Sequence, residues 1–166
     1  MFRISYYLHN GKGGLQVDIP REIELLTEAS KRGNHQATYR LGLLFEDNES
    51  GMAQNLELSV KYFQLAADNG ILAAINKMGE LYLFGEVIPA NLTKAISCFT
   101  AASEQGYGKA SYWLGRLHTD GIGQLEKDTQ KAMNYYRKAI EQGYEEAREW
   151  MEQLQKNLVD ETITDI

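Results

Sequence analysis

Hydrophobic residues recur along the chain with the spacing of amphipathic helices. In residues 34–46 the apolar positions include Ala37, Leu41 and Leu44, and residues 56–69 repeat the pattern. Apolar side chains three and four positions apart share one face of a helix, and each such face needs a packing partner. No segment shows the strict alternation of a half-buried strand. The pattern therefore predicts an all-α protein.

Small residues repeat at a period of 36 or 37 positions. One series of glycines is Gly33, Gly70, Gly106 and Gly143, and a second series is Gly42, Gly79 and Gly115. An alanine lies four positions before each glycine of the first series, at Ala29, Ala66, Ala102 and Ala139. A period of this length indicates stacked helix pairs, because one pair cannot bury its apolar face alone.

The positions of the two glycine series predict different structural roles. Glycines of the first series follow the second helix of each pair, where a left-handed cap favours a residue without Cβ. Glycines of the second series lie inside the first helices, at a cost of about 1 kcal/mol relative to alanine. That cost indicates a close approach of the partner helix. Second helices are expected to begin after four N-cap residues: Asp18, Asn55, Asn91 and Asp128.

The repeated positions resemble a known family. Residues 110–123 and 128–139 carry its pattern most fully, with Ala110, Leu114-Gly115, Gly121-Ile122-Gly123, Lys131-Ala132, Tyr135 and Ala139. Residues 74–106 match nearly as well. The pattern resembles the Sel1-like repeat family, which is related to the tetratricopeptide repeats. The resemblance implies an α-α superhelix (solenoid) of antiparallel helix pairs.

The same register predicts the domain organisation. We expect a repeat solenoid over residues 1–158, with units at about 1–33, 34–70, 71–106 and 107–143. The first unit is expected to be truncated and the other three to be full repeats. Residues 144–158 are predicted to form a polar capping helix, because Glu152 occupies its glycine position. Residues 159–166 are expected to be a flexible acidic tail.

Composition excludes several classes of partner. Among 166 residues, 17 are Lys or Arg and 23 are Asp or Glu, which gives a net charge of −6. Such a balance argues against nucleic acid, whose affinity depends on clustered basic residues. No apolar run approaches the roughly 20 residues of a membrane span. A single cysteine, Cys98, excludes an internal disulfide. We therefore expect a cytoplasmic monomer, with homo-oligomers formed by end stacking left open.

No residue constellation indicates catalysis or a cofactor. The run Gly11-Lys12-Gly13 lacks the following Ser or Thr and the preceding strand of a phosphate loop. The histidines lie in different repeats without ligands at metal spacing, and His118 occupies a position held elsewhere by Phe45 and Tyr82. A packing role is predicted for His118 and for Cys98. We expect no enzyme activity, no metal and no cofactor.

The resemblance also implies a binding face. In such solenoids the first helices line a concave groove, through positions three before and one after the mid-helix glycine. Here these positions vary between repeats, as recognition of one particular partner requires. The predicted protein-binding residues on this face are Phe2, Tyr6, Tyr39, Leu43, Asn76, Glu80, Tyr112 and Arg116. For Trp113 and Trp150, packing between helices is favoured.

The predicted function is a non-catalytic interaction module, an adaptor or scaffold that binds a peptide or protein in the groove. Two alternatives remain open. One is an immunity or inhibitor protein that neutralises a cognate toxin or effector. The other is a regulatory subunit that stacks on another solenoid.

Overall fold

The computed structural model describes residues 18–47, 54–123 and 125–164, with side chains as far as Leu158. This part of the chain forms helices and no strand, which confirms the all-α, solenoid-type fold class. Phe2 and Tyr6 lie outside the described residues. The helices are α1 (Ile19–Lys31), α2 (His35–Glu46), α3 (Leu56–Asp68), α4 (Leu72–Phe84), α5 (Leu92–Glu104), α6 (Gly108–Asp120), α7 (Thr129–Glu141) and α8 (Ala147–Thr164).

The second helices begin where the sequence predicts. Each predicted N-cap side chain accepts a hydrogen bond from the backbone N–H three residues later, at 2.9 to 3.0 Å, in Asp18, Asn55, Asn91 and Asp128. These bonds satisfy N–H groups that have no partner inside the helix. Pro20 lies in the first turn of α1, where its missing N–H costs nothing.

The turns after the second helices need glycine. Four glycines there have φ between +78° and +90°, a region that other residues rarely adopt: Gly33, Gly70, Gly106 and Gly143. The left-handed caps predicted from the first glycine series are confirmed.

The mid-helix glycines allow close packing of paired helices. A Cβ added to Gly42 would lie 2.6 Å from ring atoms of Phe63, and one added to Gly115 would lie 2.6 Å from the ring of Tyr136. Both distances are shorter than any carbon–carbon contact can be without displacement. At these two positions the close approach predicted from the sequence is confirmed.

The chain divides into two compact units between Pro89 and Ala90. In unit 1, α1 packs on α2, α2 on α3 and α3 on α4. In unit 2 the same order holds for α5, α6, α7 and α8. Each unit has its own buried apolar cluster, with Leu26, Ala29, Ala37, Leu41 and Leu44 in unit 1 and Ala132, Tyr136, Ala139, Ala147 and Leu154 in unit 2.

Equivalent contacts recur in both units at positions 73 residues apart. The hydroxyls of Ser30 and Thr38 lie 2.7 Å apart in unit 1, and those of Ser103 and Ser111 lie 2.7 Å apart in unit 2. Ring pairs show the same correspondence: Phe45 with Tyr62 and His118 with Tyr135, Tyr39 with Phe63 and Tyr112 with Tyr136. The repeat register therefore holds at the level of individual contacts.

Helix α8 is longer than expected. It begins at Ala147 and continues to Thr164, past the predicted end at Leu158. Residues 159–164 are therefore helical, which corrects the boundary drawn between capping helix and tail. The segment from 159 onward contains no glycine or proline that would stop a helix.

Candidate functional site

The predicted binding residues that the structure describes lie on three first helices. Tyr39 and Leu43 are on α2, Asn76 and Glu80 are on α4, and Tyr112 and Arg116 are on α6. Within each pair the residues are four positions apart, so they share one helix face. The first two pairs belong to unit 1 and the third belongs to unit 2.

On α2, one predicted residue packs and the other lines a cavity. Tyr39 is half-buried, with its ring centroid 5.7 Å from that of Phe63. Leu43 is half-buried as well. It lines an open cavity of about 350 Å³ together with Arg40, Leu44, Glu46 and Asp47. The cavity is lined by both aliphatic and charged groups.

On α4, both predicted residues are too buried to make much contact with a partner. Asn76 is 2% exposed and Glu80 is 9% exposed. The Asn76 side-chain N–H donates to Glu80 Oε1 at 2.9 Å, while the buried Asn76 Oδ1 has no hydrogen-bond partner. Lys77 Nζ lies 2.8 Å from a carboxylate oxygen of Glu46 and 3.8 Å from one of Glu80. Lys77 thus links the carboxylates of α2 and α4.

On α6, Tyr112 lies at the centre of an aromatic cluster. Its ring centroid is 5.2 to 6.3 Å from four others, those of Trp113, Tyr136, Tyr144 and Trp150. Such tilted and edge-on pairs stabilise packing beyond the area they bury. The Tyr112 ring is therefore largely a packing element, and its hydroxyl is the part directed to Arg116.

The Arg116 guanidinium is held on three sides within unit 2. Its Nη1 donates to the Tyr112 hydroxyl at 3.0 Å, and its Nη2 lies 3.4 Å from Asp120 Oδ2. Its central carbon lies 3.8 Å from the centroid of the Trp150 ring, a close cation–π stack. We call Tyr112, Arg116, Asp120 and Trp150 the Arg116 site.

Trp150 is the residue that sequence reasoning missed. Packing was favoured for both tryptophans, and Trp113 does stack on Phe99 at 5.9 Å between centroids. Trp150 also packs between helices, with its ring centroid 6.3 Å from that of Tyr112 and 3.8 Å from the guanidinium carbon of Arg116. It is 36% exposed as well, however, and the sequence did not assign it to the binding face. The signal available in the sequence was the register, since Trp150 lies on the next first helix, one turn before the position equivalent to Arg116.

The other residues considered for chemistry, His118 and Cys98, are both half-buried within their helices. His118 stacks on Tyr135 at 5.6 Å, which confirms its predicted packing role, and burial together with the charge of Lys131 lowers its pKa below 6.5. Burial raises the pKa of the Cys98 thiol and raises the pKa of Tyr136 to about 12. The described residues contain no group of three or more potential metal ligands. Gly11-Lys12-Gly13 lies outside them.

Comparison with protein families gives four consecutive matches. The family model described as "Sel1 repeat" matches residues 1–34, 35–71, 72–107 and 108–144. Each boundary of these segments differs by at most one residue from that of the corresponding predicted unit. The first match includes the segment expected to be a truncated repeat.

Among proteins of known name, two fungal regulators are similar to this chain. "Chitin synthase regulator SKT5" of Malassezia restricta is 32% identical over 111 residues, which are 66% of this chain and 8% of that protein. "Chitin synthase regulatory factor 3" of Schizosaccharomyces pombe is 29% identical over 126 residues, 73% of this chain and 14% of that protein. The chain therefore spans only a small part of these relatives.

Two solved structures share the fold. A Sel1 repeat protein from Oxalobacter formigenes aligns with a TM-score of 0.82 and 26% identity, over 90% of this chain and 60% of that one. A protective antigen of uropathogenic Escherichia coli, described as having an SLR fold, aligns with a TM-score of 0.77 and 25% identity, over 87% of this chain and 30% of that one. In the described ranges no helix is both long enough and apolar enough to cross a membrane.

Proposed function

Because the chain belongs to the Sel1 repeat family, whose repeats are protein-interaction modules, we propose that it is a non-catalytic adaptor or scaffold that binds a peptide or protein. The proposed surface is the first-helix face of each unit, carried by α2 and α4 in unit 1 and by α6 and α8 in unit 2; the family resemblance assigns this face to partner binding. Of the eight residues predicted from the sequence, six remain proposed contact residues, and Trp150 joins them; the six are Phe2, Tyr6, Tyr39, Leu43, Tyr112 and Arg116. Asn76 and Glu80 are buried and hydrogen-bonded to each other, so their proposed role is to support this face of α4 from within.

The observation that carries this proposal is the contrast between packing and surface positions. Contacts that hold the helix pairs together recur 73 residues apart in the two units. Tyr39 and Tyr112 also correspond to each other, but other surface positions differ, since Leu43 corresponds to Arg116 and Lys77 corresponds to Trp150. A scaffold that binds one particular partner needs this combination, because identical repeats would present identical surfaces.

The Arg116 site has the composition of an interface anchor. Trp, Tyr and Arg supply much of the binding free energy of protein interfaces, since they desolvate large areas with few rotatable bonds. Here all three types meet, with Arg116 26% exposed and Trp150 36% exposed. The guanidinium is already fixed by its neighbours, so binding would cost it little conformational entropy.

A regulatory subunit is the alternative with specific support. Two of the similar proteins are named as regulators of chitin synthase, although they share only a short part of their length with this chain. An immunity or inhibitor protein would use the same surface against a toxin or effector. The three roles differ in the partner, so identification of the partner separates them.

The experiment compares partner capture by variants of the full chain in which one residue is replaced by glutamate. Arg116→Glu alters the proposed surface in unit 2, and Leu43→Glu alters it in unit 1. Arg137→Glu is the matched control, because Arg137 is exposed on the second helix α7. A partner that the wild type retains from a native lysate is identified, and its affinity for each variant is measured.

We expect Arg116→Glu and Leu43→Glu each to weaken binding about tenfold or more, as loss of an anchor residue does. Arg137→Glu should bind like the wild type, and all three should keep the wild-type helical signal. The proposed surface would be refuted if the folded Arg116→Glu and Leu43→Glu variants bound the partner as tightly as the wild type. It would also be refuted if Arg137→Glu weakened binding as much as they do.

A further inference from the structure

We propose that the Arg116 site binds the carboxylate of an aspartate or glutamate side chain presented by the partner. This inference rests on the proposed function and names the chemistry that one part of the surface recognises. It follows from the hydrogen-bonding capacity of three groups in unit 2, namely Arg116, Tyr112 and Asp120.

The guanidinium of Arg116 has more donors than acceptors around it. Arginine carries five N–H groups, and the described contacts occupy one at Nη1 and one at Nη2. Nε is buried without any partner. Three quarters of the side chain is removed from water, since it is only 26% exposed. A guanidinium in such surroundings is stabilised by further acceptors, and a carboxylate matches its planar geometry best.

The carboxylate already present holds the guanidinium loosely. Asp120 Oδ2 lies 3.4 Å from Arg116 Nη2, beyond the 2.7 to 2.9 Å that charge-assisted bonds of this kind usually show. The Asp120 side chain is 42% exposed, so it can turn into solvent at little cost. A pair of this length with one exposed partner adds little to stability. Asp120 therefore leaves room for a better acceptor from the partner.

Tyr112 supplies a second donor beside the guanidinium. Its hydroxyl oxygen accepts from Arg116 Nη1 at 3.0 Å, so its own hydrogen is directed elsewhere. Among the described residues no acceptor for that hydrogen is found. One carboxylate can accept from the hydroxyl and from a terminal guanidinium N–H together, since its two oxygens serve adjacent donors.

Trp150 fixes the orientation in which this pair of donors is presented. Its ring lies 3.8 Å from the guanidinium carbon and covers one face of the group. An incoming acceptor is thereby restricted to the edge that bears the terminal N–H groups. The exposed part of the indole adds apolar area for the methylene groups of an acidic side chain. A flexible lysine could not be held in this way, because it lacks a planar group to stack.

The test uses a random peptide library displayed on phage, with each peptide fused at its C-terminus to the coat protein. This arrangement offers side-chain carboxylates and no free terminal carboxylate. Peptides selected on the full chain are synthesised with amidated C-termini. Their affinities are measured for the wild type, Arg116→Gln, Asp120→Asn, Leu43→Glu and the control Arg137→Gln.

We expect the selected peptides to share an acidic residue. Its replacement by the corresponding amide should weaken binding to the wild type about tenfold and binding to Arg116→Gln less than twofold. Asp120→Asn should bind the acidic peptide more tightly, because it removes a competing carboxylate. Arg137→Gln should match the wild type.

Two results would overturn the inference and leave the proposed function standing. One is a set of peptides without acidic residues whose binding is nonetheless lost on Arg116→Gln. The other is an equal loss of affinity for the wild type and for Arg116→Gln when the acidic residue of the peptide is replaced by its amide. Peptides whose affinity is changed by neither Arg116→Gln nor Leu43→Glu would refute the inference and the proposed surface together. A library that yields no binder would do the same.

Discussion

Gly115 lets the ring of Tyr136 approach the backbone of α6 to a distance that no side chain would permit. A Cβ at this position would lie 2.6 Å from the ring, and the same is true of Gly42 and Phe63. Glycine is otherwise unfavourable inside a helix by about 1 kcal/mol. The packing of the pair thus outweighs the helix propensity of the residue.

Gly115→Ala is expected to destabilise the folded chain by about 1 to 3 kcal/mol, because the added methyl displaces a buried ring. The improved helix propensity offsets part of this cost. Urea unfolding followed by circular dichroism measures the difference. Ser97→Ala, at an exposed position of α5, is the control and should change stability by only a few tenths of a kcal/mol. A Gly115→Ala chain as stable as the wild type would contradict the close approach.

His118 gives unit 2 a pH dependence. Its pKa is lowered from 6.5 by burial and by the charge of Lys131, and Asp128 opposes this shift in part. The unfolded chain therefore takes up a proton at a higher pH than the folded chain does. Stability must fall as the pH decreases from about 6.5 toward the lower pKa of the folded state.

His118→Phe should remove this pH dependence and keep the stack on Tyr135, since phenylalanine holds the equivalent position at Phe45. Urea midpoints at about pH 7.5 and pH 5.5 provide the measurement. The urea midpoint of the wild type should be lower at the lower pH, and the midpoint of the variant should decrease less. Equal decreases in both proteins would show that another group is responsible.

Helix starts are encoded locally, which is why they could be predicted. The four N-cap side chains bond the N–H three residues later, and this requires only the residue itself and the following turn. The end of α8 was predicted less well. No glycine or proline interrupts the segment after Leu158, so its acidic composition alone did not indicate where the helix stops.

Asn55→Ala is expected to cost about 1 kcal/mol of stability, because the N–H of Leu58 then loses its acceptor at the start of α3. Asn55→Asp keeps an acceptor of the same length and should stay within a few tenths of a kcal/mol of the wild type. Thermal or urea unfolding distinguishes the two. If both substitutions cost the same, the cap does not determine the stability of α3.

The proposed binding surface was predictable only in part. The ladder positions follow from the repeat register, so Arg116 could be assigned to a first-helix face from the sequence. Its partners could not, because the stack on Trp150 joins α6 to α8 and depends on how those helices pack. The burial of Asn76 likewise depends on tertiary packing. Periodicity identifies the face, and geometry identifies which side chains on it are accessible.

At the scale of the whole molecule, each unit has a core in which alanines set the helix spacing. Ala66 in unit 1 and Ala102 in unit 2 have no exposed surface. The neighbouring Ala101 is exposed on the same helix, α5. This pair separates burial from helix propensity, since the two alanines differ in little else.

Ala102→Asp should unfold α5 and its neighbours in unit 2, because it places an unpaired carboxylate where there is no room and no water. Circular dichroism should show a loss of helix or a large decrease in melting temperature. Ala101→Asp is the matched control and should keep the wild-type spectrum. A stable, fully helical Ala102→Asp protein would refute the repeat register.

The central claim is that a partner binds to the first helices of the repeats. Hydrogen exchange of the full chain, measured by mass spectrometry with and without the captured partner, tests this most directly. We predict slower exchange on binding in peptides from α6 and α8, around Arg116 and Trp150, with little change in the second helices α5 and α7. Protection confined to the second helices, with α2, α4, α6 and α8 unchanged, would contradict the claim.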